Sequence, residues 1–167
     1  MMNFRIIVYI LGWVLNMEAI FMLLPFAVGL FYRECAAYAF LTTALICAAA
    51  GVPAILRRPK NMVFYLKEGF VAVALSWIAL SIFGCLPFII NREIPAFTDA
   101  LFETVSGFTT TGASILSDVE ALSHCSLFWR SFTHWIGGMG VLVFLLAVLP
   151  LAGGSQMHLM RAESPGP

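Results

Sequence analysis

The residues best suited to chemistry are consecutive and rich in oxygen: Ser106-Gly107-Phe108-Thr109-Thr110-Thr111-Gly112-Ala113-Ser114. A cation stripped of water needs other oxygens in place of its hydration shell, and backbone carbonyls can supply them. An extended chain points successive carbonyls to opposite sides, so turning several toward one axis needs unusual dihedrals. Gly112, without a Cβ, can adopt them. Threonine hydroxyls would add a further layer of oxygen. A Ser/Thr/Gly stretch is also what an ordinary connecting loop looks like, so the elements around it must decide.

Immediately upstream, Phe97, Leu101, Thr104, Val105 and Phe108 recur at helical spacing, with Asp99, Glu103 and Ser106 on another face. Pro95 suits a first helical turn, and Gly107 lies near a natural stop. The predicted helix has about 12 residues and a length of about 18 Å. That is too short for a hydrocarbon core of about 30 Å. Its partly negative C-terminal end would face the oxygen-rich turn. Segments 6–31, 35–56, 70–90 and 127–151 are each long and apolar enough to span the bilayer. Non-helical backbone at membrane depth is tolerated where it lines a cavity or is buried in protein. Span, half-helix, oxygen-rich turn and span together form a coherent pore loop.

Composition agrees with a membrane setting. Hydrophobic residues make up 61% of the 167 and charged residues 11%, and mean hydropathy is +0.94. Soluble domains carry about a quarter charged residues. A net charge of zero gives no attraction for nucleic acid. Cys35, Cys47, Cys85 and Cys125 are scattered without a CxxC pair, so neither a disulfide framework nor a zinc site is expected. The N-terminal MMNFR precedes an apolar run that continues to Tyr32 without a small-residue cleavage site, which reads as a retained helix.

Charge placement orients the chain. With a cytoplasmic N-terminus, Arg5, Arg57, Arg58, Lys60, Lys67 and Arg161 lie inside, and Arg33, Arg92 and Arg130 outside. Glu34, Glu93, Asp99, Glu103, Asp118 and Glu120 would then gather on the outer side and concentrate cations there. Trp129 and Trp135 suit an interfacial belt, with His124, Arg130 and His134 as interfacial anchors. No internal repeat is visible.

FETVSGFTTTGASIL (residues 102–116) resembles the first pore loop of the Trk/Ktr/HKT superfamily of potassium transporters. WRSFTHWIGGMGVLVFLLAVLP (129–150) resembles the helix after it, and KEGFVAVALSWIALSIFGCLPF (67–88) the helix before it. RAESPGP (161–167) resembles a connector to the next repeat, and the whole is similar to a TrkH/TrkG-type membrane subunit. The resemblance implies an all-α membrane protein. Residues 1–66 would hold two N-terminal transmembrane helices and a cytoplasmic loop. Residues 67–152 would form the first of four pore repeats, and 153–167 a connector. It further implies a selectivity filter of Thr109, Thr110, Thr111, Gly112, Ala113 and Ser114, supported by Glu103 and Gly107. Potassium, the transported ligand, would meet the backbone carbonyls of Thr110, Thr111 and Gly112, and no cofactor is implied. The expected partners are the bilayer of the inner cell membrane, further repeats or copies of the chain, and a cytosolic nucleotide-binding regulatory subunit.

Each feature also has a plainer reading. Glu103 either braces the filter from behind, attracts cations, or lies on a solvated helix face. Gly137, Gly138 and Gly140 lack the rest of a phosphate-loop pattern and point to close helix packing. Glu18 and Asn16 lie within the first span, where a neutral or hydrogen-bonded packing role is expected. An intramembrane enzyme would need a GxSxG-like serine, paired aspartates or HExxH, and none is present. Two other readings stay open: a truncated membrane fragment that conducts nothing, and a single-repeat channel that self-assembles.

Overall fold

A computed structural model describes residues 4–57 and 66–148. The described residues form helices only: α1 Phe4–Phe21, α2 Leu23–Phe31, α3 Ala37–Leu56, α4 Leu66–Gly84, α5 Leu86–Ile90, α6 Phe97–Phe108 and α7 His124–Val148. Three stretches are long and apolar enough to cross a membrane: Phe4–Phe31, Ala37–Leu56 and Gly69–Ile90. The 25 residues of α7 make about 37 Å. Its first half carries Ser126, Arg130, Thr133 and His134, and residues 149–151 of the expected fourth span lie outside the described residues.

Two of these helices break at corresponding places. Pro25 and Pro87 have no N–H to close a helical bond to Phe21 and Phe83. The chain turns at Met22 and again at Cys85 before the short helices α2 and α5. Both short helices then end in one hydrogen-bond pattern. Arg33 N bonds Leu30 O and Glu34 N bonds Gly29 O; Arg92 N bonds Ile89 O and Glu93 N bonds Phe88 O. These are Schellman caps, with Arg33 and Arg92 both at φ 57°. The sequence shows the correspondence in miniature, Leu24-Pro25-Phe26 before Arg33-Glu34 and Leu86-Pro87-Phe88 before Arg92-Glu93. The reading of no internal repeat overlooked it, because the intervening spacings differ.

Both caps deliver a carboxylate to the start of α7. Glu34 accepts from His124 N at 3.0 Å and Cys125 N at 3.2 Å. Glu93 accepts from Ser123 N at 2.9 Å and Ser126 Oγ at 2.5 Å. Acceptors with negative charge suit the unpaired N–H groups and positive dipole end of a helix start. Asn91 Nδ2 also donates to Ala36 O at 3.2 Å. The α2–α3 turn, the α5–α6 turn and the head of α7 are thereby tied at one end of the bundle.

The core lies where α6 enters. Phe40, Phe88, Phe108 and Trp129 are among its largest buried side chains. Trp129 has no exposed surface and donates its Nε1–H to Gly84 O at 2.9 Å. It is therefore a core residue and not part of an interfacial belt, whereas Trp135 is exposed. Two of the three glycines expected to pack closely do so: a Cβ on Gly137 would run into the Phe108 carbonyl and one on Gly140 into Trp77, whereas Gly138 has no atom of the described residues within 4 Å of its Cβ position. Asn16 donates to Gly12 O at 2.8 Å and fills the space left by Gly51 of α3.

Candidate functional site

The half-helix α6 spans 12 residues, as its periodicity predicts. Pro95 does not sit in its first turn, since the cap residue is Ala96, in extended conformation. The buried face coincides with the apolar one only in part: Thr104 and Phe108 are buried, but so are polar residues of the other face. Glu103, Ser106 and Gly107 are buried, while Phe97, Phe102 and Val105 are substantially exposed. The polar residues turn inward because the returning chain needs them.

That return begins with a third Schellman cap. Thr109 N bonds Val105 O at 2.8 Å, Thr110 N bonds Gly107 O at 3.0 Å and Thr111 N bonds Ser106 O at 3.0 Å. Thr110 takes the left-handed conformation at φ 56°, a position usually held by glycine and an outlier for a β-branched residue. Gly112 follows at φ 76°, as its place in the motif predicts. A Cβ there would meet no atom within 4 Å, so the backbone angle alone makes glycine the fitting residue.

The chain then runs back along α6. Ser106 Oγ donates to Ala113 O at 2.6 Å. Ser114 Oγ donates to Glu103 Oε1 and Oε2, each at 3.1 Å, and Ile115 N donates to Oε2 at 3.0 Å. Arg130 Nε of α7 completes the carboxylate's shell at 2.5 Å from Oε1. Glu103 is 2% exposed and Arg130 only partly so, so the carboxylate of this ion pair is buried. Such a pair is tolerable only when its remaining lone pairs find donors, as they do here. Glu103 is thus neither solvated nor free to attract cations, and Arg130 is not an interfacial anchor. His134 Nδ1 contacts Arg130 O at 2.9 Å. A Cβ on Gly107 would clash with Thr133 Oγ1 of α7, so this glycine seats α6 against α7.

These bonds sort the carbonyls of the turn. Those of Val105, Ser106 and Gly107 are taken by the cap, and that of Ala113 by Ser106. Among the described residues no donor reaches the carbonyls of Thr109, Thr110, Thr111 or Gly112, all of which lie in exposed residues. The Thr109 hydroxyl donates to Val105 O at 2.8 Å. Its single proton is thereby used, so Thr111 is the donor in the 2.8 Å contact between the two hydroxyls. Among the described residues no group of three or more His, Cys, Asp or Glu could hold a metal ion. Any cation here would be met by carbonyl and hydroxyl oxygens.

Fewer of the expected outer carboxylates are free than the sequence suggests. Glu34, Glu93 and Glu103 serve internal partners, and Asp118 Oδ1 accepts from Glu120 N at 3.0 Å, which leaves Asp99, Asp118 and Glu120 nearer solvent. His124, expected as a simple anchor, places Nδ1 2.7 Å from Glu34 Oε1. Its ring stacks on Tyr32 with centroids 4.0 Å apart. Partial burial would raise the Glu34 carboxyl, but hydrogen bonds from His124 and Cys125 outweigh it and hold the group at about 2, against an ordinary 4.5. These carboxylate caps were missed because their partners lie far away in sequence. The repeated Arg-Glu dipeptide was the available signal.

Comparison with known proteins gives concordant findings. Residues 37–167 match the model of the TrkH family, described as cation transport protein. The chain is 43% identical over 172 residues to the Trk system potassium uptake protein TrkH of Salmonella typhimurium, covering 99% of this chain and 35% of that protein. It is 37% identical over 165 residues to the Trk system potassium uptake protein TrkG of Escherichia coli, covering 98% and 34%. The crystal structure of the potassium transporter TrkH from Vibrio parahaemolyticus superposes with a TM-score of 0.84 at 35% identity, over 97% of this chain and 36% of that one. The chain thus spans about a third of the length of these relatives.

Proposed function

This chain belongs to the TrkH family of cation transport proteins, and from that premise we propose that its α6–α7 segment forms part of a potassium-selective filter. The observation that carries the proposal is the run of carbonyls from Thr109 to Gly112, exposed and without donors among the described residues, at the C-terminal end of a half-helix. In this reading Thr110, Thr111 and Gly112 present carbonyl oxygens that replace the water lost by potassium. Ala113 and Ser114 form the outer end of the filter, and Thr109 its inner edge. The negative end of α6 adds favourable potential. Glu103 and Gly107 do not touch the ion. They fix the returning chain to α6 and α6 to α7.

The potassium path as a whole belongs, in this proposal, to a protein that supplies the counterparts of the relatives' other repeats. Residues 67–152 are then the first pore repeat, and residues 1–66 the two preceding transmembrane helices with their cytoplasmic loop. The Lys/Arg distribution supports a cytoplasmic N-terminus in the inner cell membrane, with the pore loop facing outside. Cysteines introduced beside Arg57 should then be labelled from the cytoplasm and those beside Asp118 from outside; the opposite pattern would refute this orientation. A nucleotide-binding regulatory partner on the cytosolic side is part of the same proposal.

The direct experiment is a chimera in which this chain replaces the matching part of the Salmonella TrkH protein. Produced in cells deficient in potassium uptake, it should restore growth at low potassium, while the chain alone should not. A well-expressed chimera that fails to restore growth would count against a filter role.

A further inference from the structure

The oxygens of Glu18 are the one pair of buried side-chain polar atoms without a hydrogen-bond partner among the described residues. Glu18 lies in α1 and is 1% exposed. Its Oε1 is 3.1 Å from the point where a Cβ on Gly84 would stand, with Thr104 Cγ2 at 3.1 Å and Phe108 Cε2 at 3.2 Å from the same point. Glu18 and the last turns of α6 therefore close around Gly84 at the α4 break, leaving no room for an added methyl group without displacement. Beside it Glu18 shares an apolar cleft of about 210 Å³ with Leu80, Phe108 and Ile136.

No neighbouring element offers the carboxyl a counter-charge. From α3 and the α4–α5 break, Cys47 and Cys85 lie within electrostatic reach. The Cys85 thiol is already directed at Ile82 O, 3.2 Å away. From α6, Thr104 donates its hydroxyl to Ala100 O at 2.8 Å, and Glu103 is turned toward Ser114 and Arg130. Among the described residues no Lys, Arg or His forms an ion pair with it. An isolated carboxylate in such surroundings is strongly disfavoured unless a proton or a cation neutralises it, and the close packing at Gly84 favours the smaller of the two.

We propose that Glu18 is a proton-binding site, a carboxylic acid held neutral behind the half-helix and coupled to the turn that leads into Thr109. On deprotonation the carboxyl O–H bond breaks, the proton passes to water and the charge stays on the carboxylate. That charge must draw water or a cation in through the cleft that Glu18 shares with Phe108. Phe108 cannot yield freely, because Gly137 of α7 packs against its carbonyl, so the displacement passes to Thr109. The coupling to cation discrimination rests on the filter reading above, whereas the protonation state does not.

The test is infrared difference spectroscopy of this chain in detergent at neutral pH, wild type against Glu18→Gln. A protonated-carboxyl C=O band that shifts in heavy water and is lost in the Gln variant is expected. Should the Gln variant misfold, Glu18→Leu provides the second assignment, and the heavy-water shift of the wild type needs no variant. Carboxylate bands alone at neutral pH would overturn the proposal. In the chimera, potassium-over-sodium discrimination should fall at the alkaline pH where the acid band disappears, and Glu18→Gln should abolish that dependence. Potassium-over-sodium discrimination with the same pH profile in the chimera and in its Glu18→Gln variant would overturn the coupling. Failure of the filter reading itself would appear separately, as unchanged discrimination in Gly112 variants.

Discussion

Thr110→Gly separates stability from function at the turn. Thr110 sits at φ 56°, and a left-handed backbone costs an L-residue about 1–2 kcal/mol. Glycine avoids that cost but gives back about 0.5–1 kcal/mol through the greater freedom of its unfolded chain. No hydrogen bond of the Thr110 side chain exists to be lost among the described residues, since its recorded bond is the backbone one to Gly107 O. The net expectation is stabilisation by about 0.5–1 kcal/mol, equivalent to a rise of roughly 1–4 °C in Tm for a chain of this size. The freed turn should hold its carbonyls less firmly, so the chimera should lose part of its preference for potassium while folding slightly better. Strain of this kind persists where the surroundings over-determine it, often at functional sites. Thermal unfolding in detergent and paired potassium and sodium uptake measure the two sides. A destabilised variant, or a stabilised one with unchanged preference, would refute the reasoning.

Two further perturbations test the framework. Glu103→Gln removes the charge facing Arg130 but keeps an acceptor for Ser114 and Ile115; because Arg130 is partly exposed, the loss should lie at the low end of the ~3–5 kcal/mol seen on breaking buried pairs. A drop in unfolding free energy well under 1 kcal/mol would contradict that role. The Glu34 carboxyl, held at about 2 in the fold against an ordinary 4.5, contributes stability that is complete above the ordinary value and lost as pH falls from there toward about 2. Glu34→Gln should flatten the unfolding profile across that window, and an unchanged acid profile would remove Glu34 from the account.

What the sequence made legible follows from local physics. The half-helix was readable because apolar spacing and length are local, and the positive φ of Gly112 because one residue type suits it. Close packing at Gly137 and Gly140 was readable from small residues in an apolar run. The buried face of α6 was not, since in a membrane an apolar face can turn outward while polar groups turn inward to satisfy the returning backbone. The burial of Glu103 against Ser114, Ile115 and Arg130 is likewise not legible locally, since those partners lie 11 to 27 residues away. Trp129 looked interfacial because its hydrogen-bond acceptor, Gly84 O, lies 45 residues away. Thr110 was invisible as a strained position because a Schellman cap usually announces itself by glycine.

The central claim is that the carbonyls around Gly112 discriminate between cations, and one substitution bears on it most directly. Gly112→Ser adds a side chain that meets no atom of the described residues within 4 Å, but it forces an L-residue to φ 76° at about 1–3 kcal/mol. A turn that relaxes to escape this would rotate the carbonyls of Thr111 and Gly112. In the chimera the measurement is the ratio of potassium to sodium uptake, with membrane expression as the control. The account predicts a lowered ratio at normal expression. An unchanged ratio in a well-expressed Gly112→Ser protein would contradict it and return the segment to an ordinary connecting loop.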